Sequence, residues 1–346
     1  MRDRLIVGLI GALSLTLILI VILLVKPRPG VVQVPIDPPR QTFSFAVIGD
    51  VPYGASQLAA FANVMRTINA DQDVQLVYHL GDIKDGASQC STSYYRVIKS
   101  RFDQSEDPRI YTPGDNEWTD CHRAVDGSYD PLERLAALRK VFFPQPYHAL
   151  GKRKTEIISY ASTGYPENVR YSAAGISFAA IHVIGANNGL APWTGQPGPT
   201  RRQRAEVRAR TASAIQVVKD AFASATTADN GSVALMTQAD MFSSTSERVA
   251  QADYAAFGPI VKTIANEAAT FPGRVYLFNG DSHTYHTGTP LADGSPWLEL
   301  YGLKQPVGNL TQITVDGSTN ADNYLKVTVD PRDTRYLSWT KEALRK

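Results

Sequence analysis

Apolar residues along this chain fall into two alternating patterns. Short continuous runs occur at FSFAVIG (43–49), VQLVYHLG (74–81), RIYTPG (109–114), ISFAAIHVIGA (176–186), SVALMTQ (232–238) and RVYLFNG (274–280). Between them, 55–70, 131–142, 201–225 and 252–270 place apolar residues at helical spacing. Runs of the first kind predict buried strands, and strand–helix alternation predicts an α/β fold with crossover units. The C-terminal stretches LTQITVDG, YLKVTVDP and RYLSW differ, with Asp-Gly and Asp-Pro turns between short alternating segments. They predict antiparallel strands.

A third pattern precedes both. Residues 5–25 carry no charge, and about 20 apolar residues cross a bilayer. The run is longer than a signal-peptide core and ends at Lys26, so it predicts an uncleaved anchor over 1–25. Arg2 and Arg4 face Lys26 and Arg28 across it, and this balance leaves orientation open. Residues 26–41 are proline-rich and read as a tether, and 42–346 as one folded domain.

Lys and Arg number 35 against 33 Asp and Glu, a net charge of +2, so composition does not indicate nucleic acid as a partner. No Gly-rich phosphate loop, Gly-x-Ser-x-Gly elbow or His-Glu-x-x-His helix is present. Candidate chemistry lies instead where the apolar runs end. The chain has four Gly-Asp pairs, at 49–50, 81–82, 114–115 and 280–281, and each closes a predicted strand. Ligands of α/β sheets bind at the carboxyl ends of strands. Asp50, Asp82 and Asp281, with Asp85, Asp240, Asn116 and His283 nearby, form an oxygen-rich set on one expected rim. Crowded carboxylates resist ionisation unless a cation compensates. Two divalent cations bridged by one carboxylate account for the number, and such a pair activates water and clamps an oxyanion.

The segments GDVPYG (49–54), GDIKDG (81–86), PGDNEW (113–118), LMTQAD (235–240) and NGDSHTYH (279–286) resemble the five ordered motifs of the calcineurin-like metallophosphoesterases, which include the purple acid phosphatases. The resemblance implies a four-layer α/β/β/α sandwich and hydrolysis of phosphoesters by a metal-bound hydroxide at a dinuclear site. It implies metal ligands at Asp50, Asp82 (bridging), Asn116, Asp281 and His283, with Glu117 or His286 protonating the leaving group. The chain departs from the family where Pro52 and Tyr53, the segment Thr237–Asp240, and Asp281 stand in place of histidines. Carboxylate and amide for imidazole shifts the expected metals from zinc or iron to Mn²⁺, Mg²⁺ or Ca²⁺. The alternative is a catalytically degenerate binding module on the same fold. The expected substrate is a phosphorylated small molecule, or a lipid or sugar phosphate.

Cys90 and Cys121 are the only cysteines, each a few residues past a rim motif. A disulfide between them needs an oxidising compartment, which predicts a body outside the cytosol. His79 and His182 lie inside apolar runs and read as core histidines, His122 as a rim or surface residue, and Asn187 and Asn188 as a turn. Arg201, Arg202, Arg204, Arg208 and Arg210 read as a solvated helix face, and Asn230 and Asn309 begin glycosylation acceptor patterns.

Overall fold

A computed structural model describes residues 42–243 and 254–344. The strands are β1 (Phe43–Ile48), β2 (Val74–His79), β3 (Arg109–Tyr111), β4 (Ile158–Tyr160), β5 (Tyr165–Ala173), β6 (Ile176–Ala180), β7 (Ser232–Met236), β8 (Arg274–Asn279), β9 (His286–Gly288), β10 (Leu310–Thr314), β11 (Asn323–Val329) and β12 (Leu337–Ala343). They form one sheet of order β12-β11-β1-β2-β3 and another of order β4-β5-β6-β7-β8-β10-β9.

The apolar pattern explains the packing. Every residue of β1 is buried, as expected of a strand covered on both faces. Phe45 stands between the sheets, edge-on to Tyr78, Phe178 and Phe278 with ring centroids 5.6, 5.6 and 6.0 Å away. Its neighbours Ala46 and Ile48 face the other way, into a core shared with the helices Gly54–Asn69, Thr92–Phe102 and Pro131–Phe142. The second sheet packs Val233, Leu235, Val275 and Leu277 against the helices Arg201–Thr227 and Gly258–Thr270. The result is a mixed α/β sandwich, with one apolar core between the sheets and one under each helical layer.

Two local expectations need correction. β10 runs antiparallel to β9 but parallel to β8, whereas β11 and β12 are antiparallel and join the other sheet beside β1. Alternation fixes which face of a strand is buried, not its direction. Here the connection through the short helix Pro296–Leu300 returns the chain so that β10 starts at the same end as β8. The 176–186 run is strand only to Ala180. It then leads into a left-handed turn at Ala186, Asn187 and Asn188, with φ of 51, 53 and 52°.

The predicted anchor and tether lie outside the described residues. Among the described residues no helix is long and apolar enough to cross a membrane. Cys90 and Cys121 form a disulfide closing a loop of sequence separation 31, worth about 3–4 kcal/mol on the loop-entropy model.

Candidate metal centre

The parallel strands β1, β2, β3, β7 and β8 deliver their carboxyl ends to one place. Asp50 follows β1, Asp82 follows β2, Asp115 and Asn116 follow β3, Gln238 and Asp240 follow β7, and Asp281 and His283 follow β8. Asp50, Asp82, Asp281 and His283 all have left-handed backbone, with φ of 53, 53, 73 and 59°. Aspartate tolerates this better than most residues, and such outliers cluster at functional sites. The Gly-Asp pairs also have a steric reason. A methyl group at Gly114 would come within 2.0 Å of Asp82 Oδ1, and one at Gly280 within 2.3 Å of Asp50 Oδ2. Each of these glycines makes room for the carboxylate of another pair.

Asp50, Asp82 and His283 each offer one ligand atom, and those atoms lie within 4.8 Å of one another. His283 Nε2 is 3.5 Å from Asp50 Oδ1, and the Asp281 N–H donates to both Asp50 oxygens at 3.1 Å. Burial is the largest influence raising Asp50 above the usual carboxylate range, with His283 opposing it. It also raises Asp82 well above that range, reinforced by Asp115, Glu117, Asp50 and Asp281. His283 is raised by its hydrogen bond to Asp50. Two buried carboxylates that resist ionisation, beside one imidazole, suit a divalent cation.

Other expected residues are placed differently. Asn116 turns its amide nitrogen, not its oxygen, to Asp82 Oδ2 at 2.9 Å, and the same nitrogen donates to the Tyr53 hydroxyl at 3.0 Å. The Asp281 carboxylate leaves the three-residue group. Its Oδ2 accepts the Asp240 N–H at 3.1 Å, and its Oδ1 lies beside Asp115 against Gly185. Burial, then Asp50, pushes Asp281 up to about 7.

Glu117, expected to protonate the leaving group, is engaged inside the fold. It is fully buried, and its Oε1 accepts from Gly114 N and Tyr111 Oη at 2.7 Å and from Asp82 N at 3.1 Å. Three donors converging on one oxygen make it a brace between the second and third motif loops. His286 is exposed on β9 opposite Thr314 and forms no hydrogen bond to the cluster among the described residues.

Asp85 accepts the Ala87 N–H in its own loop. Asp240 is committed to Gln312, Phe242 and Ser282 at 2.8, 3.0 and 2.6 Å. His79 and His182 are buried core residues, hydrogen-bonded to the Val51 carbonyl and to Glu167 respectively. His122 Nδ1 meets Thr194 Oγ1 at 2.7 Å.

Four residues escaped the sequence reading. Tyr53 donates its hydroxyl to Asp82 Oδ2 at 3.0 Å and reaches His283 Nε2 at 3.3 Å. Asp115 is buried, with Oδ1 unpartnered, and burial, then Asp120 and Asp281, raises it well above the carboxylate range. Its position in Gly114-Asp115-Asn116 was the available signal. Lys84 is buried and holds the Asn116 carbonyl at 2.8 Å and Asp126 at 2.9 Å.

Arg210 is the fourth, and it corrects the expected basic face. Arg201, Arg202, Arg204 and Arg208 are exposed, but Arg210 is buried. It holds the Asn188 side chain, and the carbonyls of Asn188 and His182 at 2.8 and 3.2 Å. These bonds offset a left-handed turn that costs non-glycine residues roughly 1–2 kcal/mol each.

Residues 43–175 match the family model described as calcineurin-like phosphoesterase. No curated protein sequence matches the chain. Among solved structures, GAP50, "the anchor in the inner membrane complex of Plasmodium", is 10% identical, with 88% of this chain and 90% of that one covered and a TM-score of 0.44. The NAD nucleotidase (NadN) of Haemophilus influenzae is 14% identical, with 87% of this chain and 55% of that one covered and a TM-score of 0.43.

Proposed function

We propose, from the match of residues 43–175 to the calcineurin-like phosphoesterase model, that this protein is a metal-dependent phosphoester hydrolase. The observation that carries the reading is the group of Asp50, Asp82 and His283, with ligand atoms within 4.8 Å of one another. Asp50, Asp82 and His283 would hold a divalent cation, which would supply Lewis-acid charge and make water a stronger nucleophile. The chain's own residues hold the geometry. The Asp281 N–H orients the Asp50 carboxylate, and Glu117 ties the Asp82 loop to the β3 loop from beneath. The Tyr53 hydroxyl and the partly exposed His283 ring are the proton-bearing groups that face Asp82 and Asp50.

Mn²⁺, Mg²⁺ or Ca²⁺ suits a donor set of two carboxylates and one imidazole better than zinc or iron does. The substrate class is a phosphorylated small molecule, or a lipid or sugar phosphate. The buried disulfide supports an extracytoplasmic body, and the apolar segment 5–25 supports a membrane anchor.

A second reading, a cation-binding module without turnover, is favoured by one observation. Asp82 Oδ2 already accepts from Tyr53, Asn116 and Gln238. Hydrolysis of an aryl phosphate after chelation and after adding back each cation separates the two. Restored turnover supports the hydrolase, and binding with no turnover under any of the three supports the module.

A further inference from the structure

We propose that this centre holds a single divalent cation, and that the fixed amide nitrogen of Gln238 at Asp82 stands where a second would bind. The inference rests on the metal-dependent reading above and narrows it.

Proton accounting around Asp82 carries the argument. The Gly185 N–H can only donate, and it meets Gln238 Oε1 at 2.7 Å. The Gln238 amide is therefore turned with its oxygen to Gly185 and its nitrogen to Asp82 Oδ2, 3.3 Å away. The Tyr53 hydroxyl donates its single proton to the same Asp82 oxygen at 3.0 Å. The Tyr53 oxygen must then accept from Asn116, which fixes that amide with its nitrogen inward as well. Asp82 Oδ2 thus faces three donors, while Oδ1 accepts the Asn116 N–H at 3.2 Å. A carboxylate oxygen offers about two lone-pair sites.

The three donors differ in how easily they yield. A hydroxyl rotates and can present a lone pair, so Tyr53, which lies toward His283, can give way to a cation held by Asp50, Asp82 and His283. Gln238 cannot turn without abandoning the buried Gly185 N–H. Gly185 is held in place in turn, because it opens the left-handed segment pinned by Arg210 through Asn188. The side of Asp82 that faces β7 is therefore closed by a positive dipole end.

Asp115 and Asp281 mark the rival position. Their carboxylates approach each other across Gly185, at 2.9 to 3.0 Å from where its Cβ would be, and Asp115 Oδ1 has no partner. A second cation sharing Asp82 from there must displace the Gln238 nitrogen.

The test is Mn²⁺ titration of the full chain, stripped of metal and held in detergent, by calorimetry and electron paramagnetic resonance. One equivalent of Mn²⁺ with an uncoupled spectrum is expected. Gln238→Glu keeps the shape and the bond from Gly185 but puts an acceptor where the donor stands. It should raise the stoichiometry to two and introduce exchange coupling. Two equivalents or a coupled spectrum in the wild type overturns the single-cation inference alone. Asp115→Asn locates that second ion if it brings the count back to one. No bound Mn²⁺ overturns the metal-dependent reading and this inference together. Wild-type stoichiometry decides the matter even if Gln238→Glu fails to fold.

Discussion

Glu167 and Asp82 are both fully buried carboxylates, and their surroundings drive them in opposite directions. Burial raises each. Around Glu167 the hydrogen bond from His182 and the charge of Arg139 overcome it, and the carboxyl is held down at about 2. Trp118 Nε1–H donates to His182 Nε2 at 3.2 Å, so the neutral ring carries its proton on Nδ1 and gives it to Glu167 at 2.8 Å. Around Asp82 the neighbours are Asp115, Glu117, Asp50 and Asp281, and they add to burial. The first region is electrically complete within the chain. Among the described residues the second is not, since only His283 brings an opposing charge, beside Asp50, and such a carboxylate set is a candidate functional cluster.

The largest expected effects come from removing one charge in each region. On the proposed hydrolase reading, Asp82→Asn should lower aryl phosphate turnover about a thousandfold or more, since the substrate clamp and the water's activation would depend on a cation held there. Without added cation its effect on the fold should be small, because the repelled charge it removes offsets the amide N–H it sets against the donors around Asp82. Glu167→Gln should do the reverse. It strands the Arg139 guanidinium, whose side chain is 24% exposed, and should cost about 3 kcal/mol in urea unfolding. Turnover per folded molecule should stay within about twofold. If Glu167→Gln abolished turnover while leaving stability intact, the division between the two regions would be wrong.

The same contrast predicts opposite pH responses in cation-free protein. Glu167 titrates near 4.3 when unfolded and at about 2 when folded. Its contribution is fully present above about pH 4.3 and is lost as pH falls toward 2. Asp281 is raised to about 7, against about 3.9 unfolded. Its folded state binds the extra proton, so stability is highest below about pH 4 and declines as pH rises through 7. Thermal melts across this range should show both limbs. Glu167→Gln should flatten the acidic limb, and Asp281→Asn should reduce the neutral one, to which the raised Asp50, Asp82 and Asp115 also contribute. A neutral limb that survives Asp281→Asn unchanged would assign it to another group.

These two regions were unequally legible in the sequence. The rim was visible because its four Gly-Asp pairs close strands, a local pattern with a steric cause at Gly114 and Gly280. What the rim does with its side chains was not. The orientation of Gln238 depends on an N–H from Gly185, 53 residues away. Likewise, Asn116 turns its nitrogen inward only because Tyr53 donates to Asp82. The balanced region was less visible still. β5 reads YPENVRYSA, and its buried Glu167 and Asn168 break the apolar pattern that betrays a strand. The helix Thr92–Phe102 is short, and only Tyr95, Ile98 and Phe102 of its residues are buried, so its apolar stripe is weak. Arg210 was grouped with four exposed arginines because nothing in a helical repeat says that one position faces a polar turn.

The smallest expected effect belongs to an ion pair that water, rather than protein, surrounds. Arg202 meets Asp130 at 2.8 Å, but their side chains are 65% and 42% exposed. Solvent screens such a pair, and its coupling should be below about 0.5 kcal/mol. Asp130 has a second task, since its Oδ1 caps the helix Pro131–Phe142 by accepting from Leu132 N and Glu133 N at 2.9 and 3.2 Å. Asp130→Ala should therefore cost about 1 kcal/mol through the lost cap, and Arg202→Ala almost nothing. A double-mutant cycle in urea isolates the pair from the cap. Coupling above about 1 kcal/mol would mean that exposure does not separate weak pairs from strong ones here. Burial would then not be what sets the Glu167 network apart.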